Sequence, residues 1–327
     1  MTNKIFITGG AGYVGSDLVP TLLSEGFQVT VYDLLIYGKE VLSPHKNLKL
    51  IKGDIRNIDL LQKSLPGHNV VIHLACISND PSFELNPSLG KSINLDCFEP
   101  LVRLSKKNNI SRFIYASSSS VYGIKKEKNV HEEMNLEPLT DYSKFKARCE
   151  KILNKYSDEN FTTTTVRPAT VCGYAKRQRL DVIVNILTNF AYYKKEIQIF
   201  GGSQLRPNIH IKDMSDVYLK LIKCEKDKIN KEIFNAGSTN HSVLEIAEKV
   251  KKGIGQDVKL KKIHSDDIRS YHVSSKKIYD FIGFKTKFTI EDAVEDLKLA
   301  FENKWLGDTF NNENYFNIKK MQSINLK

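Results

Sequence analysis

Residues 4–15, KIFITGGAGYVG, constrain the fold of this 327-residue chain more than any other stretch. Apolar Ile5, Phe6 and Ile7 run into a turn holding Gly9, Gly10, Gly12 and Gly15. An amphipathic stretch follows, with Val14, Leu18, Leu22 and Leu23 on one face. That order is strand, glycine turn, helix. Glycines in such a turn accept positive φ and let a backbone approach a ligand closely. The helix start behind them offers unpaired N–H groups and a positive dipole end, which suit a pyrophosphate. The glycines fit the dinucleotide pattern at positions 10, 12 and 15 and a related pattern at 9, 12 and 15. Asp33 closes the next strand-like run, 28–33, where an acidic residue would meet the ribose hydroxyls of NAD.

Apolar runs bounded by turn residues recur at 5–8, 29–33, 48–52, 70–74, 113–117 and 162–167. Helical patterns lie between them near 13–25, 57–65, 88–108 and 141–156. Strands alternating with helices predict a parallel sheet covered on both faces. Beyond about residue 170 the alternation stops, and helical patterns recur near 181–195, 213–225, 242–252 and 290–303. The expected architecture is α/β, a Rossmann-type doubly wound parallel sheet with a smaller C-terminal substrate-binding lobe. Residues 1–170 form the first unit, with segments near 208–240 returning to it. Residues 171–308 form the lobe, and 309–327 a polar, basic, mobile tail.

The net charge of +11 comes mostly from dispersed lysines. Its densest basic pairs are short and far apart, whereas a nucleic-acid surface would gather them into a stripe with interleaved aromatics. No apolar run approaches the length of a membrane span. Five scattered cysteines without a Cys-x-x-Cys pair favour reduced thiols and no metal framework. The first strand begins at once, leaving no room for a signal peptide, so the expected location is cytoplasmic.

Three Tyr-x-x-x-Lys pairs occur, and position selects one of them: Tyr142 and Lys146 at the start of a helix after the fifth strand. At i, i+4 the two side chains share a face. A phenol removing a proton from a sugar hydroxyl needs a pKa far below its ordinary value of about 10. A neighbouring ammonium and a positive nicotinamide ring would lower it. Ser118 follows the fifth strand in YASSSSVYG (115–123), where a hydroxyl would hold the sugar oxygen.

With these motifs in order, the chain resembles the extended short-chain dehydrogenase/reductases that act on nucleotide sugars, the NAD-dependent epimerase/dehydratase group. The resemblance covers about residues 3 to 305. Its motifs are TGGAGYVG (8–15), Asp33, Gly53-Asp54-Ile55, His73-Leu74-Ala75, Asn94, SSSSVYG (117–123), YSKFK (142–146) and Arg167-Pro168. It implies that Tyr142, Lys146 and Ser118 are catalytic. It implies an NAD site formed by Gly9, Gly12, Tyr13, Val14, Gly15, Asp33, Asp54, Ile55, Leu74, Ala75, Asn94, Ser117, Pro168 and Val171, together with Tyr142 and Lys146. Asp33 without an adjacent arginine is similar to NAD rather than NADP readers.

The same resemblance implies substrate contacts from Ser78, Ser119, Ser120, Arg179, Asn185, Arg206 and Arg269. A guanidinium fork matches phosphate oxygens, so Arg206 is the expected anchor of the diphosphate. Homodimerisation through the helices near 88–108 and 141–156 is implied as well. Related 4,6-dehydratases carry Asp-Glu where Ser119-Ser120 stand, and serine cannot supply their acid–base chemistry at neutral pH. The 4-epimerases show Tyr/Phe-Asn after the arginine that matches Arg167, whereas this chain continues Pro168-Ala169-Thr170-Val171. The run from Arg177 to Asn185 is similar to GDP-heptose 4-dehydrogenases. The expected function is a nucleotide-sugar 4-epimerase in surface-polysaccharide precursor synthesis. The alternative is a 4-dehydrogenase giving a 4-keto sugar; a 4,6-dehydratase or a non-catalytic NAD sensor ranks below both.

Overall fold

Residues along Lys4–Thr8 (β1) alternate between two cores. Ile5 and Ile7 face one, and Phe6 the other, because successive strand side chains point to opposite faces. The same division splits Val70 and Ile72 from Val71 in Val70–His73 (β4), and Ile114 from Phe113 and Tyr115 in Arg112–Ala116 (β5). Both faces are therefore covered, which is why these strands read as nearly unbroken apolar runs. The computed structural model describes residues 4–324 apart from 79, 128, 266–269 and 271.

Thr170–Cys172 (β7) belongs to a smaller sheet, and four further strands complete the first layer: Gln28–Asp33 (β2), Leu48–Lys52 (β3), Thr162–Pro168 (β6) and Glu232–Ala236. The last is β10, following Glu196–Phe200 (β8) and Leu205–His210 (β9) in the chain. The large sheet has seven parallel strands in the order β10-β6-β5-β4-β1-β2-β3. The order reverses between β1 and β4, and ligands of open α/β sheets bind at such a switch point, beyond the strands' carboxyl ends.

The helices Gly15–Ser24 (α1), Ile58–Ser64 (α2), Phe98–Lys107 (α3) and Asp141–Tyr156 (α4) lie close to the sequence-predicted positions. The 88–108 pattern is broken: Pro87–Lys91 is a separate short helix, followed by a π-turn at Ser92–Asp96. Leu101, Val102 and Leu153 fill the core shared with Phe6. Leu18, Val19 and Leu22 fill the other, with Met214, Val217 and Leu221 beside them. Each such fully buried side chain stabilises the fold by about 1.5–3 kcal/mol.

Ile183–Lys194 (α5) and Ile211–Lys223 (α6) come next in the chain. Thr239–Ser242 (β11), Val243–Ile254 (α7), Lys259–Ile263 (β12) and Ile290–Glu302 (α8) follow. A third core joins α5, α7 and α8 through Val184, Leu187, Ile246, Val250, Ala293 and Val294, with Ile197 and Ile199 of β8. Here the sheets are small: β11-β9-β7 and β12-β8.

Residues 309–324, expected as a mobile tail, are instead packed. A turn at Glu313–Tyr315 leads into Asn317–Ile324 (α9), with Asn317 and Lys320 buried. Lys320 Nζ lies 2.9 Å from Glu313 Oε1, and the Leu180 N–H donates to the Tyr315 carbonyl. The segment's polarity is spent on bonds to the rest of the chain rather than on water. No helix of the described residues is long and apolar enough to cross a membrane, and all five cysteines are unpaired.

Candidate active site

The glycine turn forms one end of a cavity of about 570 Å³ at the carboxyl edge of the large sheet. Gly9 has φ +75° and lies so close to the chain after β4 that a Cβ there would come within 2.5 Å of the Ala75 backbone nitrogen. A Cβ on Gly15 would collide with the Gly10 carbonyl. Both positions therefore require glycine. Gly9, Gly12, Tyr13, Val14 and Gly15 line this end, with Leu74 and Ala75 opposite. The Asp33 carboxylate accepts the Ala11 N–H (3.0 Å) and the Leu35 N–H (2.8 Å), which fix it at the rim. Asp54 and Ile55 also face the cavity, and Arg56 grips Asp54 through Nε and Nη2. A glycine cradle that no Cβ would permit, a helix start and a fixed carboxylate fit the pyrophosphate and ribose of a dinucleotide.

At the other end stand Ser117, Ser118, Ser119, Ser120, Tyr142 and Lys146. Their placement has local causes. Thr140 and Ser143 form a reciprocal capping box that sets the first turn of α4. Tyr142 and Lys146 then sit one turn apart. Thr140 Oγ1 donates to Asp80 Oδ1 (2.6 Å), tying this cap to the segment after β4. Ser118 is extended at the end of β5, and its hydroxyl accepts the Ser120 N–H at 3.1 Å. Ser118 and Tyr142 line the same end of the cavity, and the Ser118 hydroxyl helps to pull the phenol's pKa down. Lys146 Nζ donates to the Ala116 carbonyl (2.7 Å) and lies 5.8 Å from the Tyr142 ring centre.

Burial raises the Tyr142 phenol above its ordinary pKa, and the nearby Asp80 carboxylate adds to this. Arg179 and the Ser118 hydroxyl pull it down. The lowering expected from Lys146 does not prevail: burial outweighs the groups that pull the pKa down, and the ammonium is held on the Ala116 carbonyl.

Behind these residues, Glu150 of α4 and Arg167 of β6 form a buried pair, Arg167 Nε and Nη2 meeting Glu150 Oε1 and Oε2 at 3.0 and 2.7 Å. Ser117 Oγ donates to the same carboxylate, and Arg167 Nη1 donates to the Tyr122 hydroxyl. His73 is buried under Lys146 and stacks on Tyr115, with its Nδ1 2.7 Å from the Thr8 hydroxyl.

Burial, followed by the charge of Lys146, lowers the His73 pKa to about 3. Its unfolded value is about 6.5. Between these pH values the unfolded chain binds a proton that the folded chain refuses, so this contribution is complete above pH 6.5 and lost as pH falls towards 3. The expected loss is about 2 kcal/mol between pH 6.5 and pH 5. Denaturant titrations across this range should show a flatter acid limb for His73→Asn than for the native protein. Equal slopes would dismiss His73 as the titrating group.

Ser78, Arg179 and Arg206 line the cavity, as do Pro168 and Val171. Arg179 Nε donates to Asp181 Oδ1 at 2.5 Å. Two expected residues do not reach it. Asn94 is turned onto Ile77, accepting its N–H at 2.8 Å and donating to its carbonyl at 2.9 Å. It braces the segment after β4. Asn185 accepts the Gly173 N–H at 3.0 Å and donates to the Tyr13 hydroxyl and the Arg179 carbonyl. It is wholly buried and braces the loop that carries Arg179. Arg269 lies outside the described residues. Sequence reasoning missed Tyr37, Cys76, Asp80, Arg177, Asn317 and Met321, all of which line the cavity. Asp80 and Cys76 carried a signal, being near HLA (73–75) at a strand's carboxyl end, and so did Arg177, at the head of the run that ends at Asn185.

A family model described as the NAD dependent epimerase/dehydratase family matches residues 5–237. The chain belongs to this family. It is an NAD-dependent sugar-nucleotide enzyme of the extended short-chain dehydrogenase/reductase type. It is 27% identical over 325 residues to a UDP-glucose 4-epimerase of Lactobacillus helveticus, covering 92% of this chain and 96% of that one. It is 25% identical over 326 residues to a dTDP-glucose 4,6-dehydratase of Streptomyces niveus, with 92% and 94% covered. The solved UDP-N-acetylglucosamine 4-epimerase from Methanobrevibacter ruminantium M1, in complex with UDP-N-acetylmuramic acid, superposes with a TM-score of 0.84. It is 25% identical, with 93% of this chain and 100% of that one covered. Among the described residues no cluster could hold a metal ion.

Proposed function

We propose that this enzyme inverts C4 of a nucleotide-diphosphate sugar, as a 4-epimerase supplying precursors of surface polysaccharide. The observation that supports it most is the meeting of Ser118, Tyr142 and Lys146 in one cavity with the glycine turn and Asp33 at its far end. NAD, when bound, supplies the hydride acceptor and a positively charged ring. Tyr142 takes the proton of the C4 hydroxyl in the outward step and returns it after the sugar has turned. Ser118, which lines the cavity beside the phenol, orients the same oxygen. Lys146 holds the floor of the site through the Ala116 carbonyl and keeps positive charge beneath the reacting oxygen. Arg206 and Arg179 are assigned to the diphosphate or sugar, which a guanidinium fork grips in two places. The protein is proposed to work as a homodimer in the cytoplasm.

Dehydration needs an acid to protonate the leaving hydroxyl and a base at C5. Ser119 and Ser120 stand where the dehydratases carry carboxyls, which favours the epimerase reading. Asp80 is the carboxylate in the cavity near Tyr142, and it is engaged by Thr140. Incubating the protein with a panel of UDP-, GDP-, CDP- and dTDP-sugars and following products by NMR tests the assignment. A C4 stereoisomer without net NADH is the expected result. A 4-ketone with NADH left on the protein would replace the epimerase by a 4-dehydrogenase.

A further inference from the structure

Arg177 heads the run that ends at Asn185, was given no role there, and lies at the dinucleotide end of the cavity. It sits in the loop between β7 and α5 and is only 4% exposed. Its backbone N–H donates to Ser16 Oγ, 3.2 Å away in the first turn of α1. Its guanidinium carbon is 3.7 Å from the centre of the Tyr37 ring, and Nη2 donates to Asn317 Oδ1 at 2.6 Å. Its Nε has no hydrogen-bond partner among the described residues, and none of their carboxylates forms an ion pair with it.

The nearby acids are already engaged. Asp181 gives one oxygen to Arg179 and the other to the Asn317 N–H. Asp33 gives one oxygen to Ala11 and the other to Leu35. The loop therefore carries a buried guanidinium, Arg177, and a half-buried one, Arg179, against one carboxylate. Burying a cation without a paired anion is costly, and an anionic ligand relieves that cost. The start of α1, where Arg177 is anchored, is the place a dinucleotide pyrophosphate would occupy.

We propose that Arg177 binds the pyrophosphate of NAD, reaching over the start of α1 from the substrate-side loop. The inference rests on the NAD reading of the glycine turn and Asp33. Tyr37 and Asn317 hold the guanidinium plane, so α9 becomes part of what retains the cofactor.

The test titrates NAD, ADP, NADP and adenosine into NAD-free protein by calorimetry, with thermal melting alongside. Arg177→Met is expected to weaken NAD and ADP by roughly 10- to 100-fold and leave adenosine unchanged. The rise in melting temperature on adding NAD should shrink with it. Arg177→Lys keeps the charge but not the fork and should fall between the two; it carries the test if Arg177→Met does not fold. Equal weakening of adenosine would mean a merely structural role and would overturn the proposal. Unchanged NAD with weakened NADP would assign the guanidinium to a 2′-phosphate and overturn it too. If the native protein binds no NAD, the cofactor reading fails first, and that outcome is distinct from either.

Discussion

Tyr142→Phe is expected to lower turnover by roughly 10²- to 10⁴-fold, the usual contribution of a positioned acid–base group, while NAD remains bound. The phenylalanine keeps the ring packed over Lys146 and removes only the hydroxyl that would carry the proton. Because the effect is on proton transfer, the loss should appear in kcat, with KM for the nucleotide sugar little changed. Steady-state kinetics on the substrate found by the NMR panel, with NAD content read by absorbance after denaturation, would check it. Near-native turnover by a variant that still holds NAD would remove Tyr142 from the reaction.

The second large effect is on stability. Glu150→Ala strands the Arg167 guanidinium in a site where both side chains are almost fully buried. Removing one partner of a buried ion pair destabilises by about 3–5 kcal/mol, because the remaining charge has no counterpart. Ser117 loses its acceptor in the same change. The expected result is a large fall in the denaturation midpoint at an unchanged slope. The pair joins α4, β5 and β6 directly behind Ser118, Tyr142 and Lys146, so surviving folded protein should also be less active. A midpoint shift under about 1 kcal/mol would mean that water or another acid replaces the carboxylate.

Six of the large sheet's seven strands, β1 to β6, were legible because burial on both faces leaves apolar runs bounded by turns, as at Ile5–Phe6–Ile7 and Val70–Ile72. β10 was not read as a strand, although the stretch near 208–240 was expected to return to the first unit, since EIFNA lies far along the chain and joins β6 only through tertiary pairing. The strands of the second lobe were missed for a related reason. They are short, and β11 and β12 are largely polar, so they lack the periodicity that local reading depends on. The tail was misread because polar composition was taken as solvation. Asn317 instead accepts from Arg177 and Tyr37 and donates to Ser78 and Asp181.

Within the site, side chains tied to a local motif were legible: the glycine turn, Asp33 at a strand end, Ser118 after a strand, and Tyr142 with Lys146 on a capped helix. For these, position in the element fixes direction. Asn94 and Asn185 matched their motifs and yet point away from the cavity, since an amide's hydrogen-bond partners are chosen by whichever backbone comes near. By itself the sequence determined the strand–turn–helix unit, the alternating first layer and the family. The tertiary structure alone decided that Arg177 and Asn317 close the cavity from residues 144 and 284 positions beyond Asp33. It also decided that Glu150 and Arg167 share one buried charge site. Both depend on distant segments meeting where water is excluded, and no local pattern records which charges will be left facing each other there.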